Sequence, residues 1–314
     1  MVGVSEPRVS VIVPSYDSDA TIATCLDCLE RQVYRDYEVI VVDSSPTSRC
    51  FELVRRHSPW VRAVRSERRL LPHAARNLGA ELARGELLVH ADPDVYAKPD
   101  WLARMVAAHD LHGAVIAGAV GCHGSAWFDW AVHLSKYDSW LPGGRSGRAE
   151  IACTAGLLCP RVAHDAVGGF REQWWIGDTL FSWQVADLGY GIFLDADAVV
   201  DHHHVIGLSA LLRERFHRGR EFARLRVEYH GWTSARRLAV LGATVLPIRL
   251  PKLVARVVLH ALRAGMAVRC LVGLPVIVAA QSSWLIGEAT VYLAAGGRAS
   301  EPSSGLRPSA DSRA

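Results

Sequence analysis

Two aspartates, Asp92 and Asp94, stand one residue apart where the apolar run 87–91 ends. Carboxylates this close repel each other unless a cation lies between them. A hard ion such as Mg²⁺ or Mn²⁺ takes one or two protein carboxylates and completes its shell with water and substrate phosphates. The Asp-Pro-Asp tripeptide is also good turn chemistry, and taken alone it favours a turn that caps the next helix. The neighbouring residues therefore decide between a turn and a divalent-metal site.

Two further charged side chains could serve the same site. Asp43 follows the β-branched run 38–42, and Arg76 lies in the segment 73–84, which has a helical pattern. A guanidinium at that place could bind a diphosphate or a carboxylate through charge-assisted hydrogen bonds. Taken alone, Asp43 is an equally good helix cap or Asx turn, and Arg76 is an ordinary surface arginine. Whether Asp43 and Arg76 belong to the same site therefore depends on where the fold places them.

Three consecutive histidines end the extended stretch 192–204. A neutral imidazole is a common metal ligand, so His202 or His204 could complete the shell of a metal. A surface histidine cluster, or a cap for the following helix, is an equally good interpretation. The histidines therefore extend the metal hypothesis without deciding it.

Short β-branched runs alternate with helical patterns through the first hundred residues. We expect strands over 9–13, 38–42, 61–65 and 86–91, and helices over 19–34, 53–57 and 73–84. Such alternation is typical of a doubly wound α/β domain, whose ligands bind outside the carboxyl ends of the strands. The segments 14–17, 43–45 and 92–94 all follow strands directly. We therefore expect them to face one site.

The pattern continues less regularly beyond Trp101. We expect helices over 101–110, 161–167 and 174–189, strands over 114–121, 151–160 and 192–204, and a mobile loop over 123–150, which is rich in Trp, Gly and Ser. Tyr137 and Trp140 in that loop could stack on a sugar or pack in a core with similar ease. The polar, Ser-rich segment 298–314 predicts a disordered tail.

The order of these motifs resembles the family 2 glycosyltransferases of the GT-A fold. The motifs are P-S-Y-D at 14–17, V-V-D at 41–43, A-R-N-L-G at 75–79 and A-D-P-D at 91–94, followed by G-G-F at 168–170 and W-W-I-G-D at 174–178. Each motif alone is weak, but their combination is specific and covers about residues 8–230. The resemblance implies an α/β domain with a Rossmann-like, doubly wound and mostly parallel sheet.

The resemblance also implies roles for individual residues. Asp43 would hold the nucleobase of a nucleotide-sugar, with Pro14, Tyr16 and Asp17 lining the same pocket. Arg76 would lie beside the nucleotide, and Asp92 and Asp94 would contact the ribose and the metal, with Asp94 as the principal metal ligand. Asp178 would be the general base, which takes the proton of the acceptor hydroxyl as it attacks the anomeric carbon.

Partners and a cofactor follow from the same resemblance. The donor would be a UDP-, GDP- or dTDP-sugar, the cofactor Mg²⁺ or Mn²⁺, and the acceptor a glycan or a lipid-linked intermediate of the cell envelope. His202 or His204 could join the metal, and Trp175, Tyr137 and Trp140 could contact the acceptor. Nothing in the sequence predicts a nucleic-acid partner.

The chain departs from the family pattern at two places. Ser44 and Ser45 follow Asp43 where a second acidic residue is common, and Gly177 precedes Asp178 where the family has an acidic pair. The Q-x-x-R-W signature of processive synthases is absent, which predicts a single addition. The main alternative is a non-catalytic nucleotide-binding or scaffold protein that kept the fold. A nucleotidyltransferase would show a Gly-rich, basic loop after the first strand, which residues 14–20 lack.

Composition bounds the remaining properties. The net charge is +3, and the seven cysteines show no regular spacing, so we expect reduced thiols, with Cys25 and Cys28 in a helix core. Residues 1–8 do not look like a signal peptide, so the main domain is expected to stay where it is made.

We expect a glycosyltransferase domain over 1–205, with a nucleotide-sugar half at about 8–100 and an acceptor half at about 101–205.

The segment 206–297 is expected to be helical and to associate with a membrane. It begins with an arginine-rich helix, whose common interpretation is a solvated basic face and whose alternative is contact with anionic headgroups or a lipid-diphosphate acceptor. The run 270–295 reaches the roughly 20 residues that a bilayer crossing needs. Because Pro275, Gln281 and Glu288 interrupt it, a re-entrant or surface hairpin is favoured, and a helical cap on the soluble domain is the alternative. The expected location is the cytoplasmic face of the membrane, either peripheral, re-entrant or with one to two C-terminal helices.

Overall fold

The computed structural model of the chain describes residues 6–246 and 248–294. The strands are β1 (Val9–Ser15), β2 (Tyr37–Asp43), β3 (Arg62–Arg65), β4 (Leu87–His90), β5 (Val95–Ala97), β6 (Val115–Cys122), β7 (Gly147–Arg148), β8 (Leu157–Pro160) and β9 (Ile192–His202). The helices are α1 (Ile22–Glu30), α2 (Arg49–His57), α3 (Pro72–Leu82), α4 (Trp101–His112), α5 (Trp127–Tyr137), α6 (Arg161–Ala166), α7 (Gly177–Asp187), α8 (Leu208–His230), α9 (Ser234–Val245), α10 (Arg249–Arg263) and α11 (Ala267–Ala294). The predicted tail 298–314 lies outside the described residues.

The chain divides into two compact units. Within the described residues, the first unit comprises 6–123 and 145–203, and the second comprises 124–144 and 204–294. All nine strands belong to the first unit and all of α8 to α11 to the second.

The first unit is built on one mixed sheet. Its strand order is β3-β2-β1-β4-β8-β6-β9-β5. The short strand β7 lies off this path and pairs antiparallel with β9. Strands β1 to β4 are parallel to one another where they pair, whereas β8 is antiparallel to both of its neighbours. Every residue of β1 is buried, as expected for a central strand covered on both faces. The α/β architecture expected from the sequence is therefore present.

The parallel register brings the expected strand ends together. Ser15 pairs with Asp43 at the carboxyl ends of β1 and β2, and β4, which is parallel to β1, ends two residues before Asp92. Because parallel strands end at one edge of a sheet, residues 14–17, 43 and 92–94 lie along that edge.

The segment 123–150 is not the loop that its composition suggested. Residues 127–137 form α5, in which Trp130, Leu134 and Tyr137 are buried. These residues recur every three or four positions, which is a helical period. The many aromatic and small residues hid that period, and the expectation of a mobile loop is wrong for α5. The predicted strand over 151–160 is also shorter than expected, because a 3₁₀ turn occupies Thr154–Gly156 and β8 begins at Leu157.

The second unit is helical, with α8 packed along α11. Gly219 of α8 faces the carbonyl of Trp284, and Gly287 of α11 faces the carbonyl of Phe216, so that an added Cβ at either glycine would overlap the opposite backbone. Glycine therefore permits this close approach. In the described residues, α11 is long and apolar enough to cross a bilayer, and α9 with α10, bent by 72°, would form a second such element. Buried core helices of soluble proteins have the same length and composition.

Candidate active site

Asp92, Asp94 and His202 form a group that could bind a metal ion. One ligand atom from each lies within 4.8 Å of the others. Nε2 of His202 is 3.8 Å from Oδ2 of Asp94. Two carboxylates and one imidazole suit Mn²⁺ or Mg²⁺, with Mn²⁺ more tolerant of the nitrogen ligand. The donor set therefore fits the divalent ion expected from the sequence.

Strand pairing places His202 beside the aspartates. In the antiparallel pair of β5 and β9, Val95 lies opposite His202, and the backbone N–H of His203 donates to the carbonyl of Asp94 at 2.9 Å. The parallel pairing of β6 and β9 fixes the same stretch from its other side, with Cys122 opposite His202. A shift of one residue would turn His202 to the other face of the sheet. The register therefore selects which histidine joins the aspartates.

The other two histidines of the run have different surroundings. His203 places Nδ1 3.1 Å from the hydroxyl of Tyr96. His204 belongs to the second unit, where its Nε2 is 3.0 Å from Nδ1 of His133. Of the two histidines that the sequence offered as ligands, His202 is the one in the first unit with Asp92 and Asp94.

Arg76 is buried and forms an ion pair with Asp92. Its guanidinium, only 2% exposed, donates from Nη2 to Oδ1 of Asp92. Its Nε has no hydrogen-bond partner in the described part of the chain. The pair offsets the charge of Asp92 and leaves the guanidinium beside the carboxylates, where a diphosphate could complete its hydrogen bonds.

Asp43 is the last residue of β2 and lies among polar groups. It is fully buried, and its Oδ1 accepts a hydrogen bond from the hydroxyl of Ser45 at 2.5 Å. The Ser45 oxygen in turn accepts from the backbone N–H of Asp17 at 2.9 Å, which ties the end of β1 to Asp43. Oδ2 of Asp43 has no hydrogen-bond partner among the described residues. A buried carboxylate oxygen of this kind suits an N–H donor of a nucleobase.

Pro14, Tyr16 and Asp17 lie at the end of β1, where Ser15 pairs with Asp43. Pro14 is the buried penultimate residue of β1, and Tyr16 is 37% exposed with Arg69 stacked 4.4 Å above its ring. Asp17 adopts a positive φ of 50°, which turns the chain sharply after the strand. These features leave one aromatic face near the surface, next to the buried carboxylate.

Asp178 stands in the first turn of α7. Its Oδ1 accepts a hydrogen bond from the backbone N–H of Thr179 at 2.8 Å, and its carbonyl accepts from the hydroxyl of Ser182 at 2.8 Å. A negative charge at a helix N-terminus interacts favourably with the helix dipole. Trp175, three residues earlier, is 59% exposed.

His73 holds the residue before Asp178. The backbone N–H of Gly177 donates to Nε2 of His73 at 3.1 Å. A Cβ on Gly177 would lie 2.7 Å from Cδ2 of that ring, so a larger residue would collide with it. This contact explains why the chain has Gly177 where the family pattern has an acidic residue. Sequence reasoning missed His73, although its position three residues before Arg76 places both on one face of α3.

A second contact ties α3 to the same region. The side-chain amide of Asn77 donates to the carbonyl of Phe170 at 2.8 Å and accepts from the N–H of Phe170 at 2.9 Å. The Phe170 ring stacks on His73 and meets His90 edge-on. Burial lowers the pKa of His90 well below its ordinary value, so this imidazole is neutral. The A-R-N-L-G and G-G-F motifs are therefore two sides of one packed contact.

Tyr137 and Trp140 belong to the second unit. Their rings lie 6.4 Å apart, and Tyr137 stacks on His133 with centroids separated by 5.3 Å. Both residues remain candidates for acceptor contact on the sequence argument alone.

Comparison with known proteins identifies the family. The family model of glycosyl transferase family 2 matches residues 10–160, which include Asp43, Arg76, Asp92 and Asp94. Residues 10–160 therefore form a glycosyl transferase family 2 domain. The protein is a glycosyl-transfer enzyme with a GT-A fold, as the sequence predicted.

Relatives and solved structures agree with this assignment. The glycosyltransferase AglE of Haloferax volcanii is 27% identical over 258 residues, which cover 78% of this chain and 82% of that protein. The undecaprenyl-phosphate 4-deoxy-4-formamido-L-arabinose transferase of Pseudomonas aeruginosa is 31% identical over 139 residues, 40% of each chain. The mannosyltransferase PcManGT of Pyrobaculum calidifontis, solved with GDP-Man and Mn²⁺, has a TM-score of 0.55 and 22% identity, and 87% of each chain is covered. At that identity the structural likeness establishes the fold.

Proposed function

We propose that this family 2 enzyme is an inverting, non-processive glycosyltransferase that moves a sugar from a nucleotide-sugar to a hydroxyl group of a glycan or lipid-linked acceptor. The grouping of Asp92, Asp94 and His202 beside the buried Arg76 is the observation that carries the proposal. At the carboxyl edge of the sheet, this grouping would supply three ligands to a divalent ion and the guanidinium of Arg76 to a diphosphate. The solved structure of PcManGT with GDP-Man and Mn²⁺ shows that a similar fold holds such a pair of ligands.

The donor would bind along the strand ends. The unpartnered Oδ2 of Asp43 accepts an N–H of the nucleobase, and Tyr16 and Pro14 flank the base. Asp17, held by Ser45, closes the pocket. Arg76 donates to the diphosphate from the buried side. Each of these contacts uses a hydrogen-bonding capacity or a surface that the protein leaves available.

Asp94, Asp92 and His202 would hold Mg²⁺ or Mn²⁺. Because Arg76 already occupies Oδ1 of Asp92, Asp94 is the principal ligand. A divalent ion bound there supplies positive charge to the departing diphosphate. His202 would contribute an imidazole nitrogen, and the pairing of β9 with β5 and β6 keeps that ring turned toward Asp94.

Asp178 would act as general base. Its carboxylate takes the proton of the acceptor hydroxyl while that oxygen attacks the anomeric carbon from the face opposite the diphosphate, so that the configuration inverts. The start of α7, fixed by the contact of Gly177 with His73, keeps the carboxylate in place. Trp175 offers an exposed aromatic face for the acceptor. Contact of Tyr137 and Trp140 with the acceptor is part of the same proposal.

The composition of the second unit supports a lipid-linked acceptor and a location at the membrane. Between residues 231 and 294 the sequence has seven arginines and lysines and one carboxylate, Glu288, which is buried. The charged side chains of this stretch, apart from the buried Glu288, are therefore all cationic, which favours an anionic membrane surface. The relative from Pseudomonas aeruginosa is named for a lipid-linked substrate, undecaprenyl phosphate. We infer a lipid-linked acceptor at the cytoplasmic face, with a catalytic region over 1–205 and a membrane-associating region over 206–297, of which 295–297 lie outside the described residues.

A panel of nucleotide-sugars with Mn²⁺ or Mg²⁺, read by thermal unfolding, tests the donor site. A ligand that binds only the folded state raises the Tm by mass action. We expect one class of UDP-, GDP- or dTDP-sugar to raise the Tm in the presence of the metal. Asp94→Ala should lose that increase. No increase with any nucleotide-sugar would contradict the proposed donor site.

A further inference from the structure

Arg215 is a buried arginine that forms no ion pair with any residue of 6–246 or 248–294. The residue is 8% exposed in the second unit, its Nε finds no hydrogen-bond partner among the described residues, and its guanidinium lies 4.3 Å from the ring of Trp284. Burial is the largest cause that lowers the pKa of Arg215 to about 10, and the neighbouring charge of Arg218 contributes to the same decrease. An ionised group this deeply buried destabilises a fold unless something compensates its charge.

The carboxylates near Arg215 are already engaged. Glu214 lies 3.0 Å from Nζ of Lys136 and 3.2 Å from Nε of Arg218. The buried Asp138 lies 2.9 Å from Nε of Arg256 and 3.0 Å from Nδ1 of His260. Each carboxylate thus serves two basic side chains and has little left for Arg215.

The group therefore carries an excess of positive charge. Lys136, Arg215, Arg218 and Arg256 contribute four cations, against the two carboxylates Glu214 and Asp138. The Lys136 side chain is only 12% exposed, and burial lowers the pKa of its ammonium. A dianion that accepts several hydrogen bonds at once would balance the excess, and phosphate groups have both properties.

We propose that Arg215, with Lys136 and Arg218, forms a phosphate-binding site in the second unit. Arg215 is its centre, because it is the buried cation whose Nε has no hydrogen-bond partner in the described part of the chain. The Trp284 ring holds the guanidinium in place by a cation–π contact and leaves the guanidinium edge for the ligand. The ligand is a phosphate monoester or diphosphate, either borne on a lipid or free in solution. The assignment uses second-unit residues alone and stands whether or not Asp178 is the base of the transfer reaction.

Binding of defined phosphates to the full chain tests the site. Three probes distinguish the source of the phosphate: phosphatidylcholine vesicles with farnesyl phosphate, phosphatidylcholine vesicles with phosphatidic acid, and inorganic pyrophosphate in solution. EDTA is present throughout, so that a metal-dependent donor site does not contribute. We expect Arg215→Met to weaken binding of at least one probe roughly tenfold or more, the loss expected for hydrogen bonds to a charged group. The probe whose binding weakens identifies the source of the phosphate.

Arg213→Met is the matched control, because Arg213 is exposed on the same helix and its loss removes the same charge. It should change binding of every probe less than threefold, a difference of about 0.65 kcal/mol at most. The Tm separates a ligand-binding arginine from a structural one. Removing an unpaired buried charge should leave the Tm of Arg215→Met unchanged or raised in the absence of phosphate.

Two results would overturn the site. One is equal binding of all three probes by Arg215→Met and the wild type. The other is an equal loss in Arg213→Met, which would mean a diffuse basic surface. If Arg215→Met does not fold, Arg218→Gln, at a half-buried position of the same group, replaces it with the same expected loss.

Discussion

Nε2 of His73 accepts a hydrogen bond from the backbone N–H of Gly177 at 3.1 Å, across 104 residues of sequence. Three positions along the same helix, Arg76 forms its ion pair with Asp92. One helix, α3, thus contacts both the proposed donor side and the turn that carries the proposed base. This relationship gives the site a rigid support that no single motif contains.

His73 should affect turnover more than donor binding. We expect His73→Ala to lower kcat roughly 5- to 100-fold, because one lost hydrogen bond lets the start of α7 shift and small misplacements of a catalytic group are costly. His73→Gln, whose amide can accept the same hydrogen bond, should recover much of the loss. Steady-state kinetics with measured nucleotide affinity checks this. An equal fall in nucleotide affinity, or no recovery in His73→Gln, would indicate a general packing role.

Gly177→Ala should destabilise the fold through the same contact. The added Cβ would lie 2.7 Å from the His73 ring, and overpacking of this kind costs about 1–3 kcal/mol. In a His73→Ala background the collision is gone, so the cost should fall below about 0.5 kcal/mol, the usual limit for independent sites. Urea unfolding of the four proteins of this double-mutant cycle measures the coupling. Additive effects would mean that the two residues do not interact in solution.

His202 and His204 should behave differently. His202→Ala removes a ligand from the group with Asp92 and Asp94, so metal-dependent nucleotide binding should weaken roughly tenfold or more. His204→Ala is the matched control, since its imidazole contacts His133 in the second unit. Manganese titrations followed by nucleotide binding compare the two. Equal effects of both substitutions, or none from His202→Ala, would remove His202 from the metal site.

Much of the candidate site at the carboxyl edge of the sheet was predictable from the sequence. Buried parallel strands must end at one edge, so Asp43, Asp92 and Asp94 could be placed together from the strand pattern alone. The ion pair of Arg76 with Asp92 could be inferred from the same pattern, because α3 comes directly before β4 and runs back along the same sheet. These are consequences of local periodicity and of the alternation of strands and helices.

The parts that were missed depend on long-range register. The pairing of β6 with β9 shifts between Gly118 and Ala119, so the alternation along 192–204 could not say which histidine faces Asp94. His73 meets Gly177 across 104 residues of sequence, beside the contact of Asn77 with Phe170, and neither contact shows in a local pattern. The charge balance around Arg215 likewise depends on partners from α5 and α10, far apart in sequence.

Asp178→Asn tests the central claim most directly. The amide keeps the size of the side chain and its acceptor oxygen for the Thr179 N–H, but it cannot take a proton from the acceptor hydroxyl. Once the donor panel has identified the nucleotide-sugar, single-turnover transfer and donor affinity are measured on the variant and the wild type. We expect transfer to fall roughly 10²- to 10⁴-fold with donor affinity unchanged. Transfer at the wild-type rate by Asp178→Asn would contradict the assignment of Asp178 as general base.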